Sequence, residues 1–592
     1  PFYERLVPVV LGQHVLMDSG TGAVHTAPAH GQDDYLIGKK YGLPIHNPVD
    51  DQGCFVKGTP LVAGMHVSKV NELIIAELKK HHHLIHEEMI SHSYPHCWRH
   101  KTPLIFRATP QWFISMSRQH LREQSLQAIE KVKWVPDWGK ARITAMIENR
   151  PDWCISRQRS WGVPLAFFIH KETGELHPDT LALLEKVAER MEKEGIEAWY
   201  KLSAEDLLGA EALAYQKSMD TLDVWFDSGV THASILGKKP ELHFPADLYL
   251  EGSDQHRGWF QSSLLTALAM EGQAPYKTVL THGYVIDLEG RKMSKSVGNV
   301  IDPAELMKTL GADILRLWVA SIDYRAEIHA SNEIFTRTSE TYRRIRNTAR
   351  FLLANLHDFD PTQELLQPEE MLALDRWIVD KARLVQDELL QAYESYQFHL
   401  IYQKLHQFCT VDLGSFYLDV IKDRQYTIPT TSQARRSAQT AMYHLIEAMS
   451  RWLAPILSFT AEEIWQYLPG KGKKAGEESV FLSKWYTNLA ALPEKEVMNQ
   501  GYFEAVRALR DCVNKEIEEK RNQGLLGSAL EAEVTIYCEG SLYQQLQALG
   551  KELRFVLITS GAKVLPLDKK DDEARAAELK NVWLTVKVTT AP

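Results

Sequence analysis

The sequence lacks the features of a membrane or secreted protein. No stretch of the chain reaches the roughly 18 uninterrupted apolar residues that a membrane span requires. The start of the chain also lacks the charged segment, apolar core and small-residue cleavage site of a signal peptide. We therefore expect a soluble, cytoplasmic protein without a membrane partner.

Cysteine is scarce and widely spaced. None of the six cysteines is part of a Cys-x-x-Cys pair. They are Cys54, Cys97, Cys154, Cys409, Cys512 and Cys538. This spacing argues against a disulfide framework and against a zinc site with four thiolate ligands. We expect reduced, mostly structural thiols.

An excess of positive charge is also missing. The chain has 67 Lys and Arg against 77 Asp and Glu, a net charge of −10. A nucleic-acid partner would therefore have to bind a local basic face. With 44% hydrophobic and 24% charged residues the composition is that of a globular protein, and 592 residues suggest about four domains.

The first half of the chain predicts two kinds of α/β structure. Residues 1–90 are rich in Gly, Pro and His and broken into short apolar runs, which predicts a β-rich module. In residues 91–330 short apolar runs alternate with helical patterns, as in an α/β domain with a parallel sheet. A charged helical insert interrupts this domain at about residues 170–220.

The second half has a different period. In residues 331–490 apolar residues recur every three or four positions, which predicts an all-helical bundle. Alternation returns within residues 491–592 and predicts a small α/β module. The expected fold class is therefore multidomain α/β plus all-α.

The string Lys292-Met293-Ser294-Lys295-Ser296 is the most specific signal in the chain. Two lysines three positions apart on such a loop can neutralise charge that builds on a polyphosphate. A pair of lysines by itself is usually a solvated surface feature. The complete string and its neighbours favour a nucleotide site.

A second signal lies at residues 249–260, YLEGSDQHRGWF. An apolar strand ends there, a glycine allows close approach of the backbone, and a helix follows. Ligands of open α/β sheets bind beyond such strand ends, near helix N-termini. Glu251 can bind an ammonium group and Asp254 or Gln255 a ribose hydroxyl, whereas Asp254 alone is equally well explained as a helix cap.

At these residues the chain resembles the class I aminoacyl-tRNA synthetases, and among them the isoleucyl-tRNA synthetases. Four blocks occur in that family's order: residues 152–164 (DWCISRQRSWGVP), 223–229 (DVWFDSG), 251–260 (EGSDQHRGWF) and 292–296 (KMSKS). The resemblance covers essentially the whole chain. It implies the second half of a Rossmann-like catalytic core, an editing insertion, a helical anticodon-binding domain and a C-terminal junction module.

The resemblance implies a reaction in two steps. L-Isoleucine and ATP with Mg²⁺ give an enzyme-bound isoleucyl-adenylate, and the acyl group then moves to the terminal ribose of tRNA(Ile). The substrate carboxylate attacks the α-phosphate, so the protein supplies positioning and charge stabilisation rather than a side-chain nucleophile.

The resemblance also assigns residues to this chemistry. Lys292 and Lys295 are the implied catalytic residues, and with Met293 and Ser294 they form the implied ATP-binding loop. The implied contacts of the aminoacyl-adenylate are Glu251 to its amino group, Gly252, Asp254 and Gln255 to its ribose and backbone, His282 to its adenine or phosphate, and Trp225 and Trp259 as walls of the isoleucine pocket. Large indoles at such positions are more often plain core.

Residues 20–35 (GTGAVHTAPAHGQDDY) carry a third signal. They resemble the family's editing insertion, whose second pocket hydrolyses valine wrongly attached to the tRNA. Isoleucine and valine are the standard example of two substrates too similar for one binding pocket to separate. By the resemblance Asp34 pairs with the ammonium of the misacylated residue and His25 limits the size of the pocket. His25 taken alone would be interpreted as a structural histidine.

A basic helical face begins the predicted bundle. Arg343, Arg346 and Arg350 share one side of a helix with little acid nearby, which suits contact with phosphates. Such a charge run is usually a solvated face, but the bundle of the family binds the tRNA anticodon stem. Three further aromatic residues of the bundle are expected in its core: Trp377, Tyr396 and Trp452.

The histidine clusters do not predict a metal site. Cys97 and His100 supply only two ligands at a suitable spacing, and His81, His82 and His83 are expected at a solvated helix end. We therefore assign no metal ligands in this chain. The resemblance implies zinc only in a cysteine-rich module beyond residue 592.

Two departures from the family concern completeness. No His-x-Gly-His sequence occurs, although the family uses one to bind ATP, and the chain begins at Pro1 without Met. We therefore expect a fragment, inactive in aminoacylation by itself, of a monomeric enzyme. Two alternatives stay open: a truncated synthetase-like protein that binds tRNA without charging it, and a valyl- or leucyl-tRNA synthetase.

Overall fold

The structure is a computed structural model that describes residues 6–18, 21–97, 99–295, 297–470 and 478–589. The α-helices are α1 (Gln32–Tyr41), α2 (Asn71–Lys80), α3 (Leu121–Lys131), α4 (Trp138–Glu148), α5 (Thr180–Glu194), α6 (Ala198–Lys201), α7 (Glu205–Leu208), α8 (Val224–Gly229), α9 (Trp259–Glu271), α10 (Pro303–Leu310), α11 (Ala312–Ser321), α12 (Asn332–Ala354), α13 (Ala373–Glu394), α14 (Phe398–Gln407), α15 (Leu418–Val420), α16 (Lys422–Tyr426), α17 (Gln433–Leu453), α18 (Ser458–Gln466), α19 (Gln500–Asn522), α20 (Gly540–Leu549) and α21 (Leu553–Leu557). The strands are β1 (Phe113–Ile114), β2 (Lys133–Val135), β3 (Trp153–Cys154), β4 (Ser156–Arg157), β5 (Phe168–His170), β6 (Tyr215–Lys217), β7 (Thr221–Leu222), β8 (Ala246–Gly252), β9 (Tyr276–His282), β10 (Val285–Ile286), β11 (Ile328–His329), β12 (Ala532–Cys538), β13 (Gly561–Pro566), β14 (Arg575–Ala576) and β15 (Trp583–Val588).

The chain divides into two compact units. The first comprises residues 1–130, 144–245 and 258–275, and the second comprises residues 131–143, 246–257 and 276–592. The domain boundaries expected at residues 90, 330 and 490 stay predictions.

The strands of the first unit form short antiparallel pairs: β1 with β3, β4 with β7, and β5 with β6. β5 and β6 enclose the charged insert, in which α5 buries Leu183 and Val187 in a cluster with Trp199. α8 and α9 pack closely, because a Cβ at Gly229 would lie only 3.1 Å from the backbone of Ser262. A larger residue at position 229 would require the backbone at Ser262 to shift by a few tenths of an ångström.

The N-terminal part of the first unit is less regular than its sequence predicts. Within the described part of residues 1–90, the expected β structure takes the form of isolated bridges, Val49 with Phe55 and Cys54 with His66, rather than strands. The apolar runs here are too short for a ladder. Residues 32–41 instead carry acid in the first turn, base in the last turn and Gly42 at φ 66, which together favour helix α1.

The second unit contains the predicted parallel sheet. Its strand order is β2-β9-β8, with every pair parallel and β8 at one edge. The register places Gly252 beside His282 and Glu251 beside Thr281. The carboxyl ends of β8 and β9 therefore lie side by side, which is where open α/β sheets bind ligands.

The predicted helical bundle belongs to the second unit. Its period is clear on α13, where Leu374, Ile378, Ala382, Val385 and Leu389 are all buried. The same apolar core continues without a break into the C-terminal sheet, whose order is β13-β12-β15-β14. The bundle and the C-terminal α/β module are therefore built on one shared core.

One aromatic prediction in the bundle is wrong. Trp377 and Trp452 are buried as expected, but Tyr396 is only half-buried and lines a cavity of about 580 Å³. Tyr396 has φ 57, a left-handed conformation at the end of α13. Its ring lies 5.7 Å from Nζ of Lys133. The turn thus takes this ring out of the apolar core, which helical spacing alone could not show.

Candidate functional site

The strand ends of β8 and β9 bring two of the predicted site residues together. Gly252 and His282 are register partners, and a Cβ at Gly252 would lie 3.6 Å from Cε1 of His282 and 2.8 Å from Oδ1 of Asp254. Nδ1 of His282 donates to the carbonyl of Gly283 at 2.9 Å, since a carbonyl can only accept. In the neutral ring Nε2 of His282 is then the acceptor.

Gly283 is required where the chain leaves β9. Its amide donates to the carbonyl of Tyr324 at 2.9 Å, and an added Cβ would lie 2.0 Å from the carbonyl oxygen of Ala326. No larger residue fits this close approach. It holds the start of the segment that carries the lysine loop, residues 292–296.

Tyr284 connects two predicted site residues. Its hydroxyl donates to the carboxylate of Asp254, and its pKa is raised by burial and then by the Asp254 charge. Nζ of Lys292 lies 4.3 Å from the centroid of the Tyr284 ring. The tyrosine therefore contacts a residue predicted to bind ribose and a residue predicted to bind phosphate.

The remaining predicted residues of this site differ in exposure. Glu251 and Asp254 are exposed, while Gln255 is half-buried and donates from Nε2 to Asp254 at 3.2 Å. Oε2 of Glu251 accepts the amide of Gly252 at 3.2 Å. The two carboxylates are thus open to a ligand, although each already accepts hydrogen bonds within the protein.

The lysine loop exposes both lysines and buries part of its methionine. Lys292 and Lys295 are exposed, whereas Met293 is half-buried and packs against an apolar cluster that includes Leu306 and Trp318. Ser296 lies outside the described residues. The loop is therefore anchored by its middle while its two cations face solvent.

Asp287 stabilises the turn before the lysine loop. Hydrogen bonds from Asn299 and from Arg291 hold the pKa of the Asp287 carboxyl at about 2. Its side chain is only 10% exposed. This carboxylate therefore stays ionised throughout the neutral pH range.

The 251–260 block contains one buried histidine, His256. His256 is fully buried, its ring stacks on Trp134 at 6.2 Å, and Trp138 lies 5.6 Å away. Nδ1 of His256 donates to the carbonyl of Ser253 at 3.0 Å. Burial lowers the pKa of His256, which favours the neutral ring as a packing element.

Two other sequence blocks meet in the first unit through Asp223. This buried carboxylate accepts from Nε1 of Trp153 at 2.9 Å and from Arg157 at 2.8 Å. It also caps α8 through the amide of Trp225 at 3.3 Å. The blocks at residues 152–164 and 223–229 are therefore one connected element.

Both predicted pocket tryptophans belong to the first unit. Nε1 of Trp259 donates to the carbonyl of Ser228 at 2.9 Å, and Trp225 is 41% exposed on α8. Trp259 is thus fixed by a hydrogen bond, while the Trp225 ring is available to solvent. The role of both as walls of an amino-acid pocket stays a prediction.

The predicted editing residues lie in the N-terminal part of the first unit. Asp34 is half-buried in the first turn of α1, and a Cβ at Gly31 would lie 2.7 Å from its Oδ2. His25 is exposed. Nδ1 of the nearby His30 donates to the carbonyl of Phe106 at 3.0 Å. This hydrogen bond connects the motif to the segment that contains Phe106. Gly20 of the motif lies outside the described residues.

The three predicted tRNA-binding arginines are exposed on α12. Arg346 lies 3.8 Å from Glu463, whereas no ion pair to Arg343 or Arg350 occurs in the parts of the chain that the structure describes. The spacing of three and four places them on one helical face.

The potential metal ligands of the chain are its His, Cys, Asp and Glu side chains. Among the described residues no group of three or more His, Cys, Asp or Glu side chains is arranged to bind a metal ion. Sγ of Cys97 lies 3.5 Å from Nδ1 of His100, and backbone amides of His100 and Arg99 lower the pKa of Cys97 to about 7.

No described helix is both long and apolar enough to cross a membrane.

Sequence reasoning missed Tyr284, Asp287 and Asn299. They lie beside the blocks that it identified, but their contacts join positions that no helical or strand period relates. Asp287 and Asn299, for example, are 12 residues apart in the sequence. The only available signal was that all three lie close in sequence to the lysine loop.

Three known families match the chain. Residues 34–331 match the class I tRNA synthetases (I, L, M and V). Residues 375–536 match the anticodon-binding domain of tRNA ligase, and residues 1–59 match the editing domain of leucyl-tRNA synthetase.

Curated relatives carry a more specific name. The chain is 60% identical over all of its length to an isoleucine–tRNA ligase of Methylococcus capsulatus and spans 63% of that protein. It is 59% identical over 99% of its length to an isoleucine–tRNA ligase of Nitrosococcus oceani, of which it spans 62%. The chain therefore covers somewhat less than two thirds of these relatives.

Solved structures are more distant. A methionyl-tRNA synthetase of Mycobacterium tuberculosis in complex with methionyl-adenylate matches with a TM-score of 0.46 and 19% identity, over 67% of this chain and 70% of that one. A leucyl-tRNA synthetase of Agrobacterium radiobacter matches with a TM-score of 0.43 and 18% identity, over 70% of this chain and 52% of that one.

Proposed function

Since the chain belongs to the class I aminoacyl-tRNA synthetases, we propose that its protein is an isoleucine–tRNA ligase, which charges tRNA(Ile) with isoleucine. The reaction would use L-isoleucine and MgATP, pass through isoleucyl-adenylate and transfer the acyl group to the tRNA. The chain spans 63% of its relative in Methylococcus capsulatus, so we propose this activity for the protein that carries the chain. A monomer in the cytoplasm, where tRNA is charged for translation, fits this activity.

The observation that carries the proposal is the convergence of polar groups at the ends of β8 and β9. Gly252 and His282 are register partners there, and Asp254 is hydrogen-bonded to Tyr284, whose ring contacts Lys292. A ligand with a ribose next to a phosphate matches this order of groups.

Each side chain has a role that suits its chemistry. Glu251 would pair with the ammonium of isoleucine, and Asp254 and Gln255 would bind the ribose hydroxyls. Gly252 leaves room for the backbone to approach the adenylate, and His282 would lie by the adenine or phosphate, where Nε2 of its neutral ring can only accept a hydrogen bond.

The lysine loop would stabilise the transition state of activation. Negative charge moves onto the pyrophosphate when the carboxylate of isoleucine attacks the α-phosphate. Lys292 and Lys295 are exposed cations on a loop that Met293 anchors, and the hydroxyl of Ser294 would donate to ATP. Cations positioned in this way act on charge that develops only during the reaction.

Amino-acid selection and editing would use residues of the first unit. Trp225 and Trp259 would bound the isoleucine side chain. Asp34 would bind the ammonium of valine on mischarged tRNA, while His25 would exclude isoleucine from that pocket.

Binding of tRNA would involve the exposed face of α12. Arg343, Arg346 and Arg350 present charge to phosphates, and α12 precedes the region matched to an anticodon-binding domain. Contacts of this kind would give an affinity that falls as salt rises.

The decisive experiment is amino-acid-dependent pyrophosphate exchange by the native protein. We expect exchange with isoleucine, and we expect Lys295→Ala to reduce its kcat about a hundredfold because a transition-state cation is lost. Affinity for tRNA should change by less than about twofold, because the lysine loop does not include the arginines of α12 that are proposed to bind tRNA. Lys308→Ala, which removes an exposed lysine paired with Glu305, is the matched control.

The same assay separates the alternatives. Exchange driven by valine or leucine instead of isoleucine would identify a different synthetase. Retention of tRNA binding without exchange for any amino acid would identify a tRNA-binding protein without charging activity. Normal exchange by Lys295→Ala would refute the role given to that lysine.

A further inference from the structure

The lysine loop is attached to a compact turn at Asp287. One carboxylate oxygen of Asp287 accepts the amides of Glu289 at 3.1 Å and Arg291 at 2.8 Å. The other accepts Nε of Arg291 at 2.8 Å and Nδ2 of Asn299 at 2.9 Å. Asp287 is therefore a four-fold acceptor that joins the segment before the loop to the segment after it.

Asn299 completes the connection with its second side-chain atom. Its Oδ1 accepts the amide of Ser294 at 2.9 Å, in the middle of the loop. An ionised carboxylate can only accept, so the NH₂ group of Asn299 must face Asp287. Its oxygen is then forced to face the amide of Ser294, and the orientation of the side chain is set by chemistry.

Ser294 lies between the two lysines and organises the rest of the loop. Its carbonyl accepts the amides of Val297 and Gly298, each at 3.2 Å. The position of Ser294 consequently determines where the main chain carries Lys292 and Lys295. Met293 anchors the same stretch by apolar contact, so the two kinds of contact restrain adjacent residues.

We propose that Asp287 and Asn299 are positioning residues for activation, which hold Ser294 and thereby place Lys292 and Lys295 for the transferring phosphate. This inference rests on the proposed function, and neither residue belongs to the lysine loop itself. The low pKa of Asp287 is consistent with it, because a protonated carboxyl would no longer dictate the orientation of Asn299.

The first test measures the loop itself in the 592-residue chain. Asn299→Asp sets a second carboxylate against Asp287, and Asn299→Ala removes the link without adding charge. We expect trypsin to cut after Lys292 and Lys295 about tenfold faster in both variants, since local opening becomes easier. Glu289→Gln, which changes only an exposed partner of Arg291, is the matched control. Unchanged cleavage in both Asn299 variants would overturn the proposal.

The second test measures activation in the native protein. We expect both Asn299 variants to lower kcat of isoleucine-dependent exchange about ten- to a hundredfold, because misplaced catalytic groups lose rate. KM for isoleucine should stay within about twofold, since Glu251 and the amino-acid pocket are unaltered. Faster cleavage with unchanged kcat would overturn the positioning role.

A swapped pair distinguishes positioning from simple structural damage. Asp287→Asn combined with Asn299→Asp restores one donor facing one acceptor, and the carboxylate introduced at position 299 can still accept the Ser294 amide. We expect the double variant to recover at least about threefold in kcat over Asn299→Asp alone, as for a coupled pair. If the double variant has the wild-type melting temperature but its kcat does not recover, the proposal is contradicted.

If the unmodified protein shows no isoleucine-dependent exchange, the proposed function fails. The cleavage test still decides whether Asp287 and Asn299 hold the lysine loop.

Discussion

Tyr284 shows how one aromatic side chain can serve two charged neighbours. Its hydroxyl binds Asp254 while its ring face lies against the ammonium of Lys292. A cation over an exposed aromatic ring gains about 0.5–1 kcal/mol. The ring and the hydroxyl can be separated by mutation, because phenylalanine keeps the first and loses the second.

This separation gives a prediction for the reactivity of Lys292. In Tyr284→Leu the ammonium loses its ring, so we expect acylation of Lys292 by an amine-specific reagent to become about two- to fivefold faster. Tyr284→Phe should label at the wild-type rate. Peptide mapping after a short pulse of reagent measures both, with the exposed Lys308 as an internal reference. Equal labelling of Lys292 in all three proteins would show that the ring contact has no energetic weight.

His444 makes the stability of the bundle depend on pH. Burial lowers the pKa of His444 to about 4, and its Nδ1 lies 2.6 Å from the hydroxyl of Tyr486. The unfolded chain has the ordinary value of 6.5, so it binds more protons than the folded chain between pH 6.5 and 4. The stability contributed by neutral His444 is complete above pH 6.5 and is lost as the pH falls towards 4.

The expected loss of unfolding free energy from this group is about 2 kcal/mol between pH 7 and pH 5. His444→Asn keeps an acceptor for Tyr486 but cannot titrate, so its urea midpoint should fall less over that range. Helical circular dichroism at the two pH values measures the difference. His357→Asn replaces an exposed histidine and should behave as the wild type. An identical pH dependence in the wild type and His444→Asn would contradict this assignment.

At the scale of elements, α11 and α18 are joined by a buried carboxylate. Asp313 of α11 accepts the amide of Thr460 at 2.8 Å, its hydroxyl at 2.6 Å and the amide of Phe459 at 3.3 Å. These amides belong to the first turn of α18, which has no intrahelical partners for them. Asp313 thus caps a helix that is far from it in sequence.

Asp313→Asn should therefore destabilise the second unit by about 1–3 kcal/mol, because the amide that replaces one oxygen cannot accept. A lower midpoint of thermal unfolding measures the effect. Asp568→Asn changes an exposed carboxylate and should leave the midpoint unchanged. If the two variants have the same midpoint of thermal unfolding, the cap contributes nothing measurable to stability.

The elements also show what the sequence could and could not predict. The period of α13, the parallel sheet and the place of the lysine loop follow from local pattern and could be predicted. The conformation of Tyr396 and the Asp287–Asn299 hydrogen bond could not, since each depends on where distant segments return. The short apolar runs of residues 1–90 favoured a β-rich module, whereas the described part of this segment has isolated bridges beside helix α1.

At the scale of the whole molecule, the lysine loop proposed for activation and the carboxylate proposed for editing belong to different compact units. Asp34 lies in the first unit and the lysine loop in the second. The two proposed steps also use different side chains. Activation and editing should therefore be separable by single substitutions.

Asp34→Ala should let valyl-tRNA(Ile) accumulate, because the pocket loses its partner for the ammonium group. Isoleucine-dependent exchange should stay within about twofold of the wild type. Deacylation of valyl-tRNA(Ile) by the native protein measures the first effect. Asp33→Ala, one position earlier in the same helical turn, is the matched control. Normal clearance of valyl-tRNA by Asp34→Ala would exclude the proposed contact.

The core shared by the bundle and the C-terminal sheet limits how this chain can be rearranged. The ring of Trp377 lies 5.0 Å from that of Phe503, and the hydroxyl of Tyr502 donates to the carbonyl of Gln545 at 2.7 Å. Removing everything after residue 490 would expose the Trp377 side of the core to water, so the bundle is not a portable module. Recombination between related proteins, natural or engineered, would have to exchange the bundle and the sheet together to keep a folded product.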